Sequence, residues 1–184
     1  MYLHRHAVNR VFAVASLLFA LAVHAASEAP TDFAVEAPAD GKMFRLADAR
    51  GKYVALHFLL LTECPYCQRH TRAYASQAAT LPDVVQVFLK PDSANDIKAW
   101  TVGLGEETAK SVTLYRDADA ALARKFGIPD GYKFHGKTVH YPALVLLDPT
   151  GKEVFRYVGK DNSDRFSFEN LSAKVAELKA AADK

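Results

Sequence analysis

The sequence predicts a three-layer α/β/α sandwich with a mixed central β-sheet. Short apolar stretches with strand character alternate with amphipathic helical segments along most of the chain, a pattern typical of parallel strands joined by crossover helices. The chain then finishes with two strands joined by a strong turn signal, followed by one more helix. Because a hairpin is antiparallel, the sheet is expected to contain both strand orientations.

Residues 1–25 have the pattern of a cleavable signal peptide. A basic start is followed by the apolar run 11–23, and Val23-His24-Ala25 fits a small-residue cleavage site. The run is shorter than the about 20 apolar residues that span a bilayer. We therefore expect cleavage between Ala25 and Ala26, export to the periplasm, and no stable membrane insertion after cleavage.

The charge balance argues against some classes of partner. The predicted signal holds two of the 23 basic residues and none of the 21 acidic residues, so the mature chain is nearly neutral. Such a chain has no basic surplus to bind nucleic acid or an anionic membrane. Residues 26–40 are interpreted as an extended lead-in, and residues 41–184 as one domain, which we expect to be monomeric.

The first half of the domain is predicted to supply the centre of the sheet. Residues 54–61 are apolar almost throughout, as in a strand covered on both faces. Apolar residues then recur at three- and four-residue steps, which predicts an amphipathic helix. The predicted elements of this half are strands at 43–46, 54–61 and 84–89, a helix from Cys64 to Leu81, and a helix that Ser93 caps and Gly103 and Gly105 end.

The second half is predicted from turn signals as much as from apolar runs. Asp148-Pro149-Thr150-Gly151 separates two strand-like segments and therefore indicates a hairpin. The predicted elements are strands at 111–115, 143–147 and 153–158, a short helix from Asp117 or Asp119 to Gly127, a polar loop at 128–140, and a final helix that Ser167 caps and that runs to Ala182.

The only two cysteines lie in Cys64-Pro65-Tyr66-Cys67, where the apolar 54–61 strand gives way to a helix. With Cys64 at the helix N-cap and Pro65 at the first helical position, unpaired N–H groups and the helix dipole point at one sulfur. This setting lowers the pKa of the Cys64 thiol. Since so short a loop gains little stability from a disulfide, the pair indicates thiol–disulfide chemistry rather than a structural staple.

The residues between and beside the cysteines suggest further roles. Cys64 is expected to attack a partner disulfide as the thiolate, and Cys67, on the apolar helix face, is expected to resolve the mixed disulfide. Glu63 would oppose the thiolate or relay a proton for Cys67, or it is simply a solvated carboxylate. Tyr66 is expected to be exposed and to shape the binding surface.

Three segments resemble the thioredoxin-like superfamily and, within it, the exported TlpA/redoxin branch related to AhpC/TSA proteins. Residues 44–58 look like that branch's N-terminal hairpin extension and first core strand. The Cys64–Cys67 motif is the redox motif, in the variant typical of glutaredoxins. The 74-residue separation between Cys67 and Tyr141 fits the branch's strand–helix insertion.

The resemblance implies a catalytic role for Pro142 as well as for the two cysteines. Tyr141-Pro142 is placed like the superfamily's cis-proline, which would hold the Tyr141 backbone ready to pair with a substrate strand. It also implies a redox-active disulfide and no cofactor. The sequence departs from peroxiredoxins, because Leu61 stands where they place a threonine, and from thioredoxin, whose buried carboxylate would fall at or beside Phe58.

The histidines leave alternatives open. His140 lies just before Tyr141-Pro142, and thiolates with an imidazole suit Cu(I), so a copper-assembly protein that resembles the Sco type would use Cys64, Cys67 and His140. A zinc site that adds His135 is a further alternative. His70 would either move protons or serve a plain surface or core role, and His57 is predicted to be a hydrogen-bonded core histidine.

These observations predict an exported thiol–disulfide oxidoreductase that exchanges a Cys64–Cys67 disulfide. Its partners would be protein disulfides or dithiols, small thiols, or an upstream electron donor, and not nucleic acid. The copper-assembly protein is the alternative, and a thiol peroxidase is the third hypothesis. The direction of electron flow is not encoded in the motif.

Overall fold

The computed structural model describes residues 32–61, 64–134 and 136–182. The predicted signal peptide, its cleavage site and the first part of the lead-in lie outside these residues. Among the described residues, no helix combines the length and the apolar character needed to cross a membrane. The α-helices are α1 (Pro65–Gln77), α2 (Ala94–Gly103), α3 (Glu106–Ser111), α4 (Ala121–Lys125) and α5 (Phe168–Ala182).

The strands of the described residues fall into one central sheet and two small hairpins. In chain order they are β1 (Ala34–Glu36), β2 (Met43–Arg45), β3 (Tyr53–Phe58), β4 (Val84–Lys90), β5 (Leu114–Arg116), β6 (Asp130–Phe134), β7 (Lys137–His140), β8 (Ala143–Leu147) and β9 (Glu153–Val158). The central sheet has the order β5-β4-β3-β8-β9. Strand β3 pairs parallel with β4 and antiparallel with β8, so the predicted mixed sheet is confirmed.

Strand β3 lies in the middle of the central sheet, and its side chains pack into the hydrophobic cores on both faces. Ala55 packs in a core with α1, α2 and α5. Leu56 and Phe58 point to the opposite core, which α4 and the β1–β2 hairpin cover. The burial of β3 on both faces explains its apolar run without alternation.

Several sequence-based assignments change in the structure. Ser111, predicted to begin a strand, is the last residue of α3, and β5 begins only at Leu114. The predicted polar loop at 128–140 is wrong, because β6 and β7 form an antiparallel hairpin there with a bulge between Asp130 and Tyr132. Its residues are mixed polar and aromatic, and backbone pairing rather than an apolar pattern makes these strands. Inside the predicted lead-in, β1 pairs with β2, so the N-terminal hairpin forms its own two-stranded sheet beside the central one.

Candidate active site

The two cysteines lie at the carboxyl end of β3, where the chain turns into α1. Cys64 is the N-cap of α1 and Pro65 follows it, as predicted. Proline suits this position because the first N–H of a helix has no intrahelical partner. Cys67 is fully buried on the inner face of α1, whereas Cys64 keeps 9% of its surface exposed.

Cys64 and Cys67 form a disulfide in this structure. Backbone N–H groups point at both sulfurs: Cys67 N donates to Cys64 Sγ at 3.1 Å, and Leu60 N donates to Cys67 Sγ at 3.3 Å. These donors, with the N-terminus of α1, favour negative charge on sulfur. Reduction of the disulfide would therefore leave thiolate character where solvent reaches, on Cys64.

Arg165 is the functional residue that sequence reasoning missed. Its Nη2 lies 3.5 Å from Cys64 Sγ and 3.3 Å from Cys67 Sγ. A guanidinium keeps its charge at any working pH, so it places a fixed positive charge beside both sulfurs. Among the described residues this is the cation that contacts the redox pair, and it comes from a segment about 100 positions away.

A tight loop between β9 and α5 places Arg165. Tyr157 Oη donates to Asp164 Oδ1 at 2.5 Å, and Lys160 N donates to Asp164 Oδ2 at 2.9 Å. Gly159 lies so close to Pro142 that an added Cβ would stand 2.8 Å from the proline ring. The Asp and Ser residues at 161–164 are a turn signal in the sequence. That signal predicts a turn and does not predict which side chain it aims at the cysteines.

A buried ion pair supports the segment before the motif. Lys90, at the end of β4, is fully buried, lies 3.1 Å from Asp92, and donates to the Leu60 carbonyl at 2.8 Å. Its ammonium also lies 4.5 Å from the centre of the Trp100 ring. Burial lowers the pKa of Lys90, while the Asp92 carboxylate opposes that shift. Because the N–H of Leu60 donates to Cys67 Sγ, Lys90 holds the residue that contacts the buried sulfur.

A pair of histidines lies in the core, His57 on β3 and His70 on α1, one helical turn beyond Cys67. His57 is fully buried and its Nδ1 is 3.0 Å from His70 Nε2, while its Nε2 is 2.8 Å from Gln86 Oε1. The prediction of a hydrogen-bonded core histidine at 57 is confirmed. His70 is also in the core, with 9% of its surface exposed. Burial lowers the pKa of His57 to about 4 and that of His70 well below its usual value, so both rings are neutral near pH 7.

The structure corrects the expectation for Pro142. No peptide bond in the described residues is cis, and so the predicted cis bond between Tyr141 and Pro142 is wrong. Trans is the default for such bonds by about 0.5–1 kcal/mol, and here the chain runs extended from β7 into β8. Tyr141 N donates to the Pro129 carbonyl and Pro142 O accepts from Gly159 N, both within the chain.

The Tyr141 backbone is also engaged rather than open to a substrate strand. Besides the N–H bond to Pro129, its carbonyl lies 2.7 Å from His140 Nδ1. Pro142 nevertheless stays close to the chemistry, because it lines a narrow cavity with Arg165 and His70. It shapes the site through its ring and not through a cis peptide.

His140 is not placed with the cysteines. Its ring is almost fully buried and packs edge-on against Phe58, whose side chain belongs to the core on the other face of the sheet. Burial lowers the pKa of His140. Within the described ranges, no three His, Cys, Asp or Glu side chains are grouped so that they would hold a metal ion. The copper set Cys64, Cys67 and His140 is therefore not assembled, and His135 lies outside the described residues.

The remaining predicted residues border the motif. Pro65 is exposed. Tyr66 is half-buried rather than exposed, because it packs against the core and beneath the Arg69 guanidinium, 5.2 Å from the ring centre. Glu63 lies outside the described residues, so its role stays a prediction. The site thus combines a disulfide, directed N–H donors and one guanidinium, which together suit exchange between sulfur atoms.

Comparisons with known proteins give a family match and a shared fold. The AhpC/TSA family matches residues 26–154. No curated protein sequence matches the chain. Among solved structures, the chain is similar to a reduced 2-Cys peroxiredoxin from Plasmodium vivax, with a TM-score of 0.69 and 20% identity over 85% of this chain and 97% of that one.

Two further structures show the same fold. The exposed lipoprotein thioredoxin Etrx1 from Streptococcus pneumoniae strain TIGR4 has a TM-score of 0.63 and 24% identity, covering 79% of this chain and 98% of that one. The bacterioferritin comigratory protein of Xanthomonas campestris, described for its alkyl peroxide reduction activity, has a TM-score of 0.62 and 19% identity, over 82% and 92% of the two chains. These similarities show a thioredoxin-like fold for this chain.

Proposed function

The chain belongs to the AhpC/TSA family of thiol oxidoreductases and peroxidases, and on that premise we propose that it is an exported thiol–disulfide oxidoreductase. The observation that carries the proposal is the Cys64–Cys67 disulfide at the N-terminus of α1, with Arg165 beside both sulfurs. The signal-like pattern of residues 1–25 supports export to the periplasm. Its partners would be protein disulfides or dithiols, small thiols or an upstream electron donor, with copper no part of the cycle.

The proposed cycle moves two electrons between disulfides. The Cys64 thiolate attacks a partner disulfide, so that a Cys64–partner bond forms and the first partner sulfur leaves as a thiolate. Cys67 loses its proton and attacks Cys64 Sγ, which releases the second partner sulfur and closes the Cys64–Cys67 disulfide. The partner is reduced and the protein oxidised. Every step reverses, so the same residues serve an oxidant or a reductant.

During this cycle the N-terminus of α1 stabilises one sulfur atom, whereas Arg165 stabilises both. The Cys67 N–H, at 3.1 Å, belongs to the helix N-terminus and acts on Cys64 alone. Arg165 contacts both sulfurs and so stabilises whichever one carries negative charge as the disulfide opens. Leu61 stands three positions before Cys64, where peroxiredoxins use a threonine, and a leucine side chain has no hydroxyl to bind a peroxide. The proposal therefore favours disulfide exchange over peroxide reduction.

Trapping of a mixed disulfide tests the function. In Cys67→Ser, the Cys64–partner bond has no resolving thiol, so incubation with a cell-envelope extract should give thiol-reducible adducts through Cys64. Cys64→Ser is the matched control, since it lacks the nucleophile. Wild-type protein that reduces peroxide rapidly with sulfenic acid at Cys64, while Cys67→Ser traps no partner, would replace the proposal with a thiol peroxidase.

The redox potential of the Cys64–Cys67 pair gives the direction of electron flow. Equilibration with glutathione buffers, read by thiol alkylation, places the pair on the scale of known proteins of this fold. A potential above about −150 mV would indicate an oxidant, and one near about −270 mV a reductase that needs an upstream donor. A disulfide that no glutathione buffer changes would argue for a structural bond and against the proposal.

A further inference from the structure

The buried pair His57–His70 has no role in the proposed redox cycle. Two adjacent histidines in an apolar core are costly, because each ring must bury polar nitrogens and must stay neutral. Aromatic rings enclose them: Phe88 stacks on His57 at 4.5 Å between ring centres, and Tyr74 lies 4.5 Å from each histidine. Apolar residues of similar size would fill these two positions without that cost, so packing alone does not explain the two histidines.

The hydrogen bonds assign the protons of the pair. With the Gln86 amide oriented so that Oε1 faces His57, His57 Nε2 carries a proton and donates to that oxygen. Neutral His57 then has an unprotonated Nδ1, which accepts from His70 Nε2–H at 3.0 Å. This leaves Nδ1 of His70 as the unprotonated nitrogen at the end of the chain. The three residues thus form a directed series that begins at a basic nitrogen on α1.

The series connects the redox site with a surface groove. At one end, His70 lines the narrow cavity that also contains Arg165 and Pro142. At the other end, half-buried Gln86 lines a groove on the protein surface, together with Thr113 and Tyr115. The series therefore begins in the cavity beside the redox pair and ends beside the surface groove.

Cys67 is the cysteine nearest to His70 along α1. His70 follows Cys67 by three positions on α1, so the two side chains share the buried face, with Cβ atoms about 5–6 Å apart. Arg165 connects them as well, because its Nη2 is 3.3 Å from Cys67 Sγ while its side chain lines the same cavity as His70. Cys67 is fully buried, so bulk solvent does not reach its thiol to take the proton.

We propose that His70, held by His57, accepts the proton of the Cys67 thiol during resolution of the mixed disulfide, and so replaces the buried carboxylate that thioredoxin uses. The inference rests on the proposed function. The Cys67 S–H proton moves to Nδ1 of His70 as Cys67 attacks Cys64 Sγ, and the partner sulfur leaves with the electron pair of the broken S–S bond. His57 Nδ1 keeps accepting from His70 Nε2–H, which holds the ring in place, and the proton then leaves His70 Nδ1 for the departing thiolate or for solvent.

The charged and titratable groups around His70 are compatible with this role. Tyr74 faces it from α1 and His57 from β3, Tyr157 lies across the cavity on β9, and Asp164 and Arg165 belong to the loop after β9. Arg165 opposes a lasting positive charge on His70. The proton is therefore passed on rather than stored.

A chromogenic disulfide separates the two thiol steps. When the reduced protein is mixed with excess 5,5′-dithiobis(2-nitrobenzoate), attack by Cys64 releases a first thionitrobenzoate at a rate that depends on reagent concentration. Attack by Cys67 releases a second thionitrobenzoate, at a rate that does not depend on reagent concentration. Thionitrobenzoate leaves as a thiolate and needs no proton, so the rate of the second phase reports how the Cys67 thiol loses its proton.

The expected result is a change confined to the second phase. In the wild type its rate should be nearly constant from about pH 5.5 to about pH 8, because an internal base that is already unprotonated takes the proton. In His70→Gln and His57→Gln it should rise about tenfold per pH unit and be at least about tenfold slower near pH 6. The first phase should be unchanged. Tyr74→Phe, which keeps the ring against both histidines, should behave as the wild type.

Failure of the inference and failure of the function look different. If the wild type releases two thionitrobenzoates and both histidine variants keep a wild-type second phase, the histidines are structural and the inference is wrong. A wild-type second phase that itself rises tenfold per pH unit also overturns it, even where His70→Gln does not fold. If the wild type never releases the second thiol, the pair does not exchange disulfides and the proposed function is wrong.

Discussion

Arg165→Gln tests whether the guanidinium tunes the redox pair. Glutamine keeps a polar side chain that reaches toward the sulfurs and removes the charge. Because the cation stabilises a thiolate and leaves a neutral disulfide nearly unaffected, its loss should raise the pKa of Cys64 and make the disulfide harder to reduce. The redox potential of the pair should therefore become more negative.

The magnitude follows from the distance between the guanidinium and the sulfur. At the 3.5 Å that separates Arg165 Nη2 from Cys64 Sγ, two unit charges interact by ~1.2 kcal/mol in bulk water and by ~5 kcal/mol at an effective dielectric constant of about 20. Arg165 is only half-buried, so a value of about 1.4–2.8 kcal/mol is appropriate. This corresponds to about one to two pKa units and to about 30–60 mV for a two-electron couple.

Two assays measure the effect. The ultraviolet absorbance of the thiolate, followed against pH, gives the pKa of Cys64, and glutathione equilibration gives the potential. Arg72→Gln is the matched control, since Arg72 lies on α1, the helix that carries Cys67, and donates to the Gly103 and Leu104 carbonyls rather than to sulfur. An Arg165→Gln protein with both quantities at wild-type values, or an equal shift in Arg72→Gln, would refute the reasoning.

Two further predictions concern stability. The pKa of His57 in the folded state is about 4, below its ordinary value of about 6.5. Between these two pH values the unfolded chain binds more protons than the folded chain. The free energy of unfolding should therefore fall by about 3 kcal/mol as the pH drops from about 6.5 to about 4. Urea titrations should show a weaker pH dependence in His57→Gln, and an unchanged dependence would contradict the argument. Lys90→Met should lower the free energy of unfolding by about 3–5 kcal/mol, because it removes the cation beside buried Asp92. As a control, Lys110→Met at the exposed pair with Glu106 should lower it by less than about 1 kcal/mol. Equal losses in the two variants would show that Lys90 contributes no more than a surface lysine.

Much of the fold could be predicted from local patterns. The apolar run of β3, the Cys64 cap with Pro65, the Ser93 cap and the turn before β9 each depend on neighbours in sequence, and the structure has them where the sequence predicts. The β6–β7 hairpin was missed because its strands lack an apolar alternation and are defined by pairing with each other. The expectation for Pro142 was wrong because a resemblance in position does not fix the isomer of a peptide bond.

Local sequence features alone predict where the redox pair of this protein lies. Two cysteines three positions apart at a strand–helix junction are a local arrangement, and the helix pattern indicates that Cys67 is the more buried of the two. The tertiary structure decided what surrounds them. Arg165, about 100 positions away, reaches the cysteines only because the sheet order and the β9–α5 loop bring it there. His57 lies on β3 itself, and the packing of α1 against that strand brings it to His70. Charges and proton acceptors act through space, so their contribution is settled by packing and not by spacing along the chain.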